Sequence, residues 1–336
     1  MKKIVKIDSN ISSDFLRIEL FLSNVCNYSC WYCFPGYHEG DSKWPKLETI
    51  VDNLSFVIEY YKRTLQKKKI NLHIIGGEPT LWKDFGEFVK YFKETHDCII
   101  SISSNGSRTL RWWEEYGHFI DHVMLSCHHE RVDPNHIKEV ADLLYTKDVT
   151  VNGMVLMDPL HWEKCKDIVE SLKSSNYYWP ITCVEVHHNT LSYTPEQKKY
   201  LRKSIKRYPE INYWLRCEKL PRAKPTVYYN DNTFETVERN WLSLNKKNYF
   251  AGWECDIGID TFLIDKNGNI RGGCGETLYN LDYHFNIYDD DFLEKFNLKI
   301  VPTICKRTGV CDCQPETNSR KRYLESSKNF IPIISV

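Results

Sequence analysis

The chain predicts an α/β fold: a partial (β/α)6 TIM-like barrel followed by a small cysteine-rich α+β region. Three observations carry that expectation. Strand-like and helix-like runs alternate six times, and the alternation stops near residue 215. Strand, helix, strand in succession implies right-handed βαβ units and a parallel sheet. The 13 cysteines are not scattered: three crowd into 26–33 and five lie in the last part of the chain.

The strand candidates are LRIELFL (16–22), LHIIG (72–76), CIISIS (98–103), HVMLS (122–126), VTVNGMVLM (149–157) and ITCVEVH (181–187). Most are short, rich in Val and Ile, and bounded by Gly, Asn, Pro or charged residues. The first helical run, KLETIVDNLSFVIEYYKRTLQKKK, places Leu47, Ile50, Val51, Leu54, Val57, Ile58 and Tyr61 on one face, with lysines closing its C-terminal turn. DFGEFVKYFKE, RTLRWWEEYG, DPNHIKEVADLLYTK and HWEKCKDIVESLKSS repeat the logic. In TPEQKKYLRKSIKRY, Thr194 is the expected N-cap, with Pro195 at the first helical position and Glu196–Gln197 in the first turn. Residues 1–215 are read as the barrel, and RCEKLPRAKP (216–225) opens a second domain over 216–336. There VYYNDNTFETV and TFLIDKNGNIRGGC read as hairpins, the latter turning at Asn267–Gly268.

Forty-five basic side chains balance 45 acidic ones. A protein held mainly by nucleic-acid phosphates is therefore not expected. No signal-like start and no apolar run of about 18 residues occurs, so no membrane span is expected and a cytoplasmic location is. A disulfide framework does not suit that compartment. Cys98, Cys127, Cys165, Cys183 and Cys217 stand apart and read as small buried hydrophobes. The clustered cysteines call for a metal.

SNVCNYSCWYCFPG (23–36) sets Cys26, Cys30 and Cys33 in a C-x3-C-x2-C spacing. A structural zinc site wants four ligands. A four-iron cluster is normally held by four thiolates. Three thiolates leave one iron open, which is a place to do chemistry. The spacing, its position after the first strand and Tyr32 before the last cysteine resemble the radical S-adenosylmethionine (SAM) superfamily. IIGGEPT (74–80) ends the second strand and is similar to that superfamily's GGE motif. The resemblance implies that Gly76, Gly77 and the Glu78 carboxylate hold the amino group of SAM. It implies Ser104 and Asn105 near the SAM carboxylate or ribose, Ser126 near the ribose, and Met154 or Leu156 with Tyr32 against the adenine.

Cys255, Cys274, Cys305, Cys311 and Cys313 resemble the cysteine-rich extensions called SPASM and twitch, which bind auxiliary iron–sulfur clusters. Five cysteines suit a shortened, twitch-like domain with one auxiliary [4Fe-4S] cluster. Cys255, Cys274, Cys311 and Cys313 are favoured as ligands, with Cys305 as the substitute. Zinc is the competing metal.

The resemblance implies an oxidoreductase-like enzyme. A [4Fe-4S] cluster cleaves SAM reductively to a 5′-deoxyadenosyl radical, which takes hydrogen from a substrate. Oxidation, cross-linking and rearrangement all remain open. Flavodoxin or ferredoxin is the expected electron donor. The substrate is a small molecule or a peptide. The first strand begins near residue 16, so an N-terminal peptide-recognition domain is not expected, which leans towards a small or separately delivered substrate. A peptide or protein side-chain maturase of the sulfatase-maturase or ribosomal-peptide type is the alternative within the enzymes, and a non-catalytic zinc-binding scaffold the alternative outside them. His128, His129, Glu130, Glu185, His187 and His188 stand at strand ends as candidates for substrate contact. Trp31, Phe34 and Trp44 lie near the triplet, to shield it or to pack.

Overall fold

The computed structural model describes residues 2–33, 36–176, 181–186, 192–207, 224–237, 241–271, 285–296, 301–306, 309, 311 and 319–324. All six expected βα units are present. They run β2 (Phe15–Phe21), α1 (Leu47–Leu65), β3 (Lys69–Ile75), α2 (Phe85–His96), β4 (Ile99–Ser104) and α3 (Leu110–Tyr116). They continue with β5 (His122–Cys127), α4 (Pro134–Thr146), β6 (Thr150–Met157), α5 (Trp162–Leu172), β7 (Ile181–Glu185) and α6 (Pro195–Arg207). A further strand, β1 (Ile4–Asp8), precedes them. The sequence reading has no strand there.

The chain divides into two compact units: Leu20–Leu47 with Leu72–Leu220, and Met1–Glu19 with Glu48–Asn71 and Pro221–Val336. In the first, the strands follow in the order β3-β4-β5-β6-β7, with the C-terminal end of β2 beside β3. The pairs β4–β5, β5–β6 and β6–β7 are parallel, in a register that sets Ser104 beside Leu125, Ser126 beside Met154 and Leu156 beside Val184. Strand β6 shows its two faces directly: Val155 and Met157 are fully buried, while Met154 and Leu156 are half-buried. Helix α4 packs on α5 and β6, and α5 on β6 and β7. Their buried stripes, Ile137, Val140, Ala141 and Leu144, then Cys165, Ile168, Val169 and Leu172, follow the helical period.

Capping fixes where these helices begin. Asp133 accepts from the Asn135 and His136 amides ahead of Pro134. Thr194 Oγ1 accepts from the Gln197 amide, and the Gln197 side chain accepts from the Thr194 amide, a reciprocal capping box at the expected N-cap. Cys98, Cys127, Cys165 and Cys183 are buried as expected of small hydrophobes. Cys217 and the 216–223 part of the expected linker lie outside the described residues.

The other unit carries a sheet of order β13-β10-β14-β1-β8-β9. Its strands are β8 (Thr226–Tyr229), β9 (Phe234–Thr236), β10 (Glu254–Cys255), β13 (Thr303–Ile304) and β14 (Lys321–Arg322), with β1 antiparallel to both β8 and β14. The two expected hairpins are there: β8–β9, and β11 (Thr261–Ile264) with β12 (Ile270–Arg271). Gly268 sits in the second turn at φ +87°, where a Cβ would lie 2.3 Å from Asn286 Oδ1. Only short helices, α7 (Trp241–Leu244) and α8 (Phe292–Lys295), are described after α6.

One buried charge holds this unit together. Lys67 Nζ donates to the Ser13 and Phe15 carbonyls at 2.8 and 3.1 Å and to Asp260 Oδ1 at 2.9 Å. Arg320 shares the same carboxylate. Lys67→Met takes this donor from the part-buried Ser13 carbonyl and the buried Phe15 carbonyl, although Asp260 keeps Arg320. The expected loss is about 3 kcal/mol, read from a shifted urea midpoint at unchanged slope. Among the described residues, no helix is long and apolar enough to cross a membrane.

Candidate active site

The cysteine loop follows β2, and the end of β2 is laid against the end of β3. Leu22 N–H donates to the Ile75 carbonyl, Gly77 N–H to Ser23 and Glu78 N–H to Val25. The ladder thus continues past both strands and sets the Gly76–Gly77–Glu78 turn directly against the segment leading into Cys26. Glycine is required by proximity: a Cβ on Gly76 would lie 2.4 Å from the Ser23 carbonyl oxygen, and one on Gly77 would lie 2.4 Å from that of Val25.

Glu78 is fully buried. Its Oε1 accepts from the Thr80 amide at 3.1 Å, from the Thr80 hydroxyl and from Ser104 Oγ at 2.9 Å; Oε2 accepts from the Asn105 amide at 2.6 Å. Burial raises its carboxyl above the ordinary range, and the four donors work against that rise. Oε2, with one donor, retains lone-pair capacity for a cationic amine. Asn105 Nδ2 also donates to Asn27 Oδ1, and Asn27 Nδ2 to Ser107 Oγ, so the end of β4 grips the cysteine loop. Glu78, Ser104 and Asn105, expected at one ligand, therefore do meet in one network.

The loop is tied down locally as well. Cys33 N–H donates to the Cys30 carbonyl at 3.0 Å, and Tyr28 N–H points at Cys26 Sγ at 3.3 Å. Trp31 Nε1 donates to Asp158 Oδ2 at 3.2 Å, and the Tyr32 hydroxyl pairs with His128 Nδ1 at 3.2 Å. Cys30, Tyr32 and Val186 form one buried cluster, with Tyr28, Cys33 and Leu156 packed against it. Two residues expected at the adenine, Tyr32 and Leu156, thus share a cluster with two of the three cysteines. Ser126 and Met154 are register partners, both half-buried. Tyr32 also stacks between His128 and His129, at centroid distances of 5.8 and 5.9 Å.

The electrostatics of this loop disfavour free thiolates. Burial pushes the Cys30 thiol up to about 12, helped by Glu130, Cys33 and Cys26; burial also raises Cys26. Burial and His129 bring His128 down to about 4, so it is neutral at pH 7 and accepts from Tyr32. Three crowded thiols, Cys26 and Cys30 among them with raised pKa values, fit a cationic centre, which holds them as thiolates. Among the described residues, three His, Cys, Asp or Glu ligand atoms lie within 4.8 Å of one another only at His129, Asp158 and His161. Ligands of a single zinc at about 2.3 Å from sulfur would be roughly 3.8 Å apart. The sulfurs of Cys26, Cys30 and Cys33 do not all lie within 4.8 Å of one another.

Of the C-terminal cysteines, Cys274 and Cys313 lie outside the described residues, as do Phe34, His187 and His188. Cys255 ends β10, beside Thr303. Cys305 N–H donates to the Trp253 carbonyl and Cys311 N–H to that of Asn248. Cys311 belongs to a core with Ile7, Val227, Phe250 and Trp253, and Cys305 packs against that core. Among the described residues, Trp44 and Glu185 have no part in the network around the triplet. The sequence reading missed Asp158 and His161. The signal was an acid followed by a His three residues on, immediately after a strand.

With this geometry in hand, the likenesses can be weighed. The model of the radical SAM superfamily matches residues 20–172. A GTP 3',8-cyclase of Vibrio cholerae is 27% identical over 116 residues, 33% of this chain and 34% of the relative. An S-adenosylmethionine-dependent nucleotide dehydratase of Oncorhynchus mykiss is 30% identical over 138 residues, 38% of this chain and 35% of the relative. The match thus spans about a third of the length of these curated relatives. Among solved structures, native anSMEcpe with bound AdoMet overlays with a TM-score of 0.50 at 18% identity, covering 84% of this chain and 81% of that one. Streptococcus suis SuiB overlays with a TM-score of 0.51 at 15% identity, covering 85% and 66%. These two support the fold, including the α/β barrel. The superfamily uses a [4Fe-4S] cluster and SAM. Residues 20–172, which contain the cysteine triplet, the Gly-Gly-Glu turn and strands β3 to β6, are therefore the part of the chain that is similar to the radical SAM superfamily.

Proposed function

We propose that this chain is a radical SAM enzyme acting on a small molecule or a peptide. The observation that carries the reading is the joined ladder Gly77–Ser23 and Glu78–Val25. It brings a three-cysteine loop and a buried carboxylate into one place, an arrangement with no evident use in a scaffold. Cys26, Cys30 and Cys33 would hold a [4Fe-4S] cluster through three of its irons. When bound, the cluster supplies the electron for reductive cleavage of SAM, the source of the hydrogen-abstracting radical; flavodoxin or ferredoxin would deliver that electron.

The residues around it bind and orient. Glu78, held in place by Thr80, Ser104 and the Asn105 amide, offers Oε2 to the amino group of SAM. The close approach at Gly76 and Gly77 holds the turn against the cysteine loop. Ser126, Met154, Leu156 and Tyr32 would line the nucleoside, the aromatic and aliphatic groups excluding water. Residues 216–336 would form a twitch-like domain in which four of Cys255, Cys274, Cys305, Cys311 and Cys313 hold an auxiliary cluster. The fold shared with SuiB, a protein also solved with its precursor peptide SuiA, supports a peptide as the second reading of the substrate.

Iron and acid-labile sulfide, measured on anaerobically purified protein, test the cofactor content. About eight irons per chain are expected, and about four if the C-terminal cysteines hold no cluster. Colourless protein containing zinc and no iron would return the chain to the scaffold class.

A further inference from the structure

His129, Asp158 and His161 lie at the C-terminal side of β5 and β6, outside the cysteine triplet and the Glu78 network. Asp158 follows the last residue of β6 and is fully buried. Its Oδ1 accepts from the Leu160 amide at 2.8 Å, which fixes the turn entering α5. Its Oδ2 faces three groups: Trp31 Nε1 at 3.2 Å, His161 Nδ1 at 2.9 Å and His129 Nε2 at 3.7 Å. The ion pairs recorded for this carboxylate are both to histidine. A buried carboxylate without a permanent cation is costly.

His129 is the odd member. It is 3% exposed, and among the described residues it makes no hydrogen bond through either nitrogen; its Nδ1 is buried without a partner. Its Nε2 is too far from Asp158 to share a proton directly. A water bridging the two would need a separation of roughly 4.5 Å or more, since each leg is about 2.8 Å. The 3.7 Å gap is therefore too long for a hydrogen bond and too short for a water. The two imidazoles also stack at 4.6 Å, 23° from parallel, each presenting one nitrogen to the same oxygen.

A metal ion at Nε2 accounts for the 3.7 Å gap and gives the carboxylate a positive partner, while Nδ1 keeps its proton. With legs of about 2.0–2.1 Å to nitrogen and oxygen, the 2.9 Å edge subtends roughly 90° and the 3.7 Å edge about 130° at the ion. Both angles fall within the range that zinc and its neighbours accept. Two imidazoles and one carboxylate are also the donor set that suits such ions. The indole N–H on Oδ2 would act as the outer hydrogen bond that orients a ligating carboxylate, and it belongs to the residue between Cys30 and Tyr32. His161 is half exposed, which leaves the site reachable from solvent.

We propose that His129 Nε2, Asp158 Oδ2 and His161 Nδ1 bind a divalent first-row transition-metal ion, at a site separate from both cysteine groups. The site does not depend on the radical SAM reading, because none of its ligands is a cysteine.

The test uses cluster-loaded protein dialysed anaerobically against micromolar zinc, wild type beside His161→Ala, at equal iron content. His161→Ala alters a half-exposed side chain, so circular dichroism and iron should be unchanged. The wild type is expected to hold about one more zinc per chain than the variant, with a zinc X-ray absorption shell at about 2.0–2.1 Å from nitrogen and oxygen. Equal zinc in the two proteins overturns the proposal, as does a wild-type shell made only of sulfur at about 2.3 Å. Zinc at the C-terminal cysteines would contribute equally to both proteins and so cancels from the difference.

Discussion

Cys30→Ala is expected to lower the iron content by about four per chain and to bring 5′-deoxyadenosine formation to background, with the fold retained. Cys30 is the most buried of the triplet, 4% exposed, and packs with Tyr32 and Val186. Truncating so small a side chain costs about 1 kcal/mol of packing, which a chain of this size withstands. The cluster is another matter. Three thiolates are already one short of the usual four, and a two-thiolate cluster leaves two irons without a protein ligand. A thermal melt of apo-protein close to wild type, together with lost iron, separates a ligand role from a structural one. Iron at the wild-type level in the variant would remove Cys30 from the ligand set.

Gly77→Ala has the second largest expected effect, and it reaches the cluster without touching a ligand. The added methyl would lie 2.4 Å from the Val25 oxygen, 2.6 Å from its carbonyl carbon and 2.9 Å from that of Asn24. All three are backbone atoms, so no side-chain rotation relieves the contact. Either the turn or the loop must move, and the Gly77–Ser23 and Glu78–Val25 hydrogen bonds are then lost. Overpacking of this kind costs about 1–3 kcal/mol, and two broken backbone bonds add to it. The more telling change is functional, since Glu78 and Cys26 would lose their common register: SAM affinity should fall at least about tenfold, which corresponds to 1.4 kcal/mol. Gly40→Ala is the control. Nothing lies within 4 Å of its added Cβ, and its φ of +72° limits the cost to about 1 kcal/mol. Equal SAM affinity in Gly77→Ala and wild type, measured by calorimetry, would mean that the turn does not position the ligand.

Much of this was legible in the sequence because it rests on periodicity and punctuation. Each of the six expected strands overlaps an observed one, and Thr194 caps its helix, since short Val/Ile runs and Pro-led amphipathic runs obey local rules. The cysteine triplet and the Gly-Gly-Glu turn were legible as motifs. Their contact was not, because the Gly77–Ser23 bond joins residues far apart in the chain. Strand β1 escaped because IVKID carries two charges in five residues and precedes no helical run, and its partners, β8 and β14, lie more than two hundred residues away. Lys67 looked like one more lysine in a C-terminal helical turn. Only the tertiary fold reveals that its ammonium is buried against Asp260. Asp158 and His161 escaped for a related reason. Each is an ordinary loop residue until His129, from the neighbouring strand end, is brought beside them.

The central claim is that the triplet, set against the Gly-Gly-Glu turn, supports reductive cleavage of SAM. Anaerobic incubation of iron-replete protein with SAM and dithionite, followed by chromatography of the products, tests it most directly. The account predicts 5′-deoxyadenosine and methionine from the wild type and neither above background from Cys30→Ala. Iron-replete wild type that forms no 5′-deoxyadenosine, or a Cys30→Ala variant that still forms it, would contradict the account.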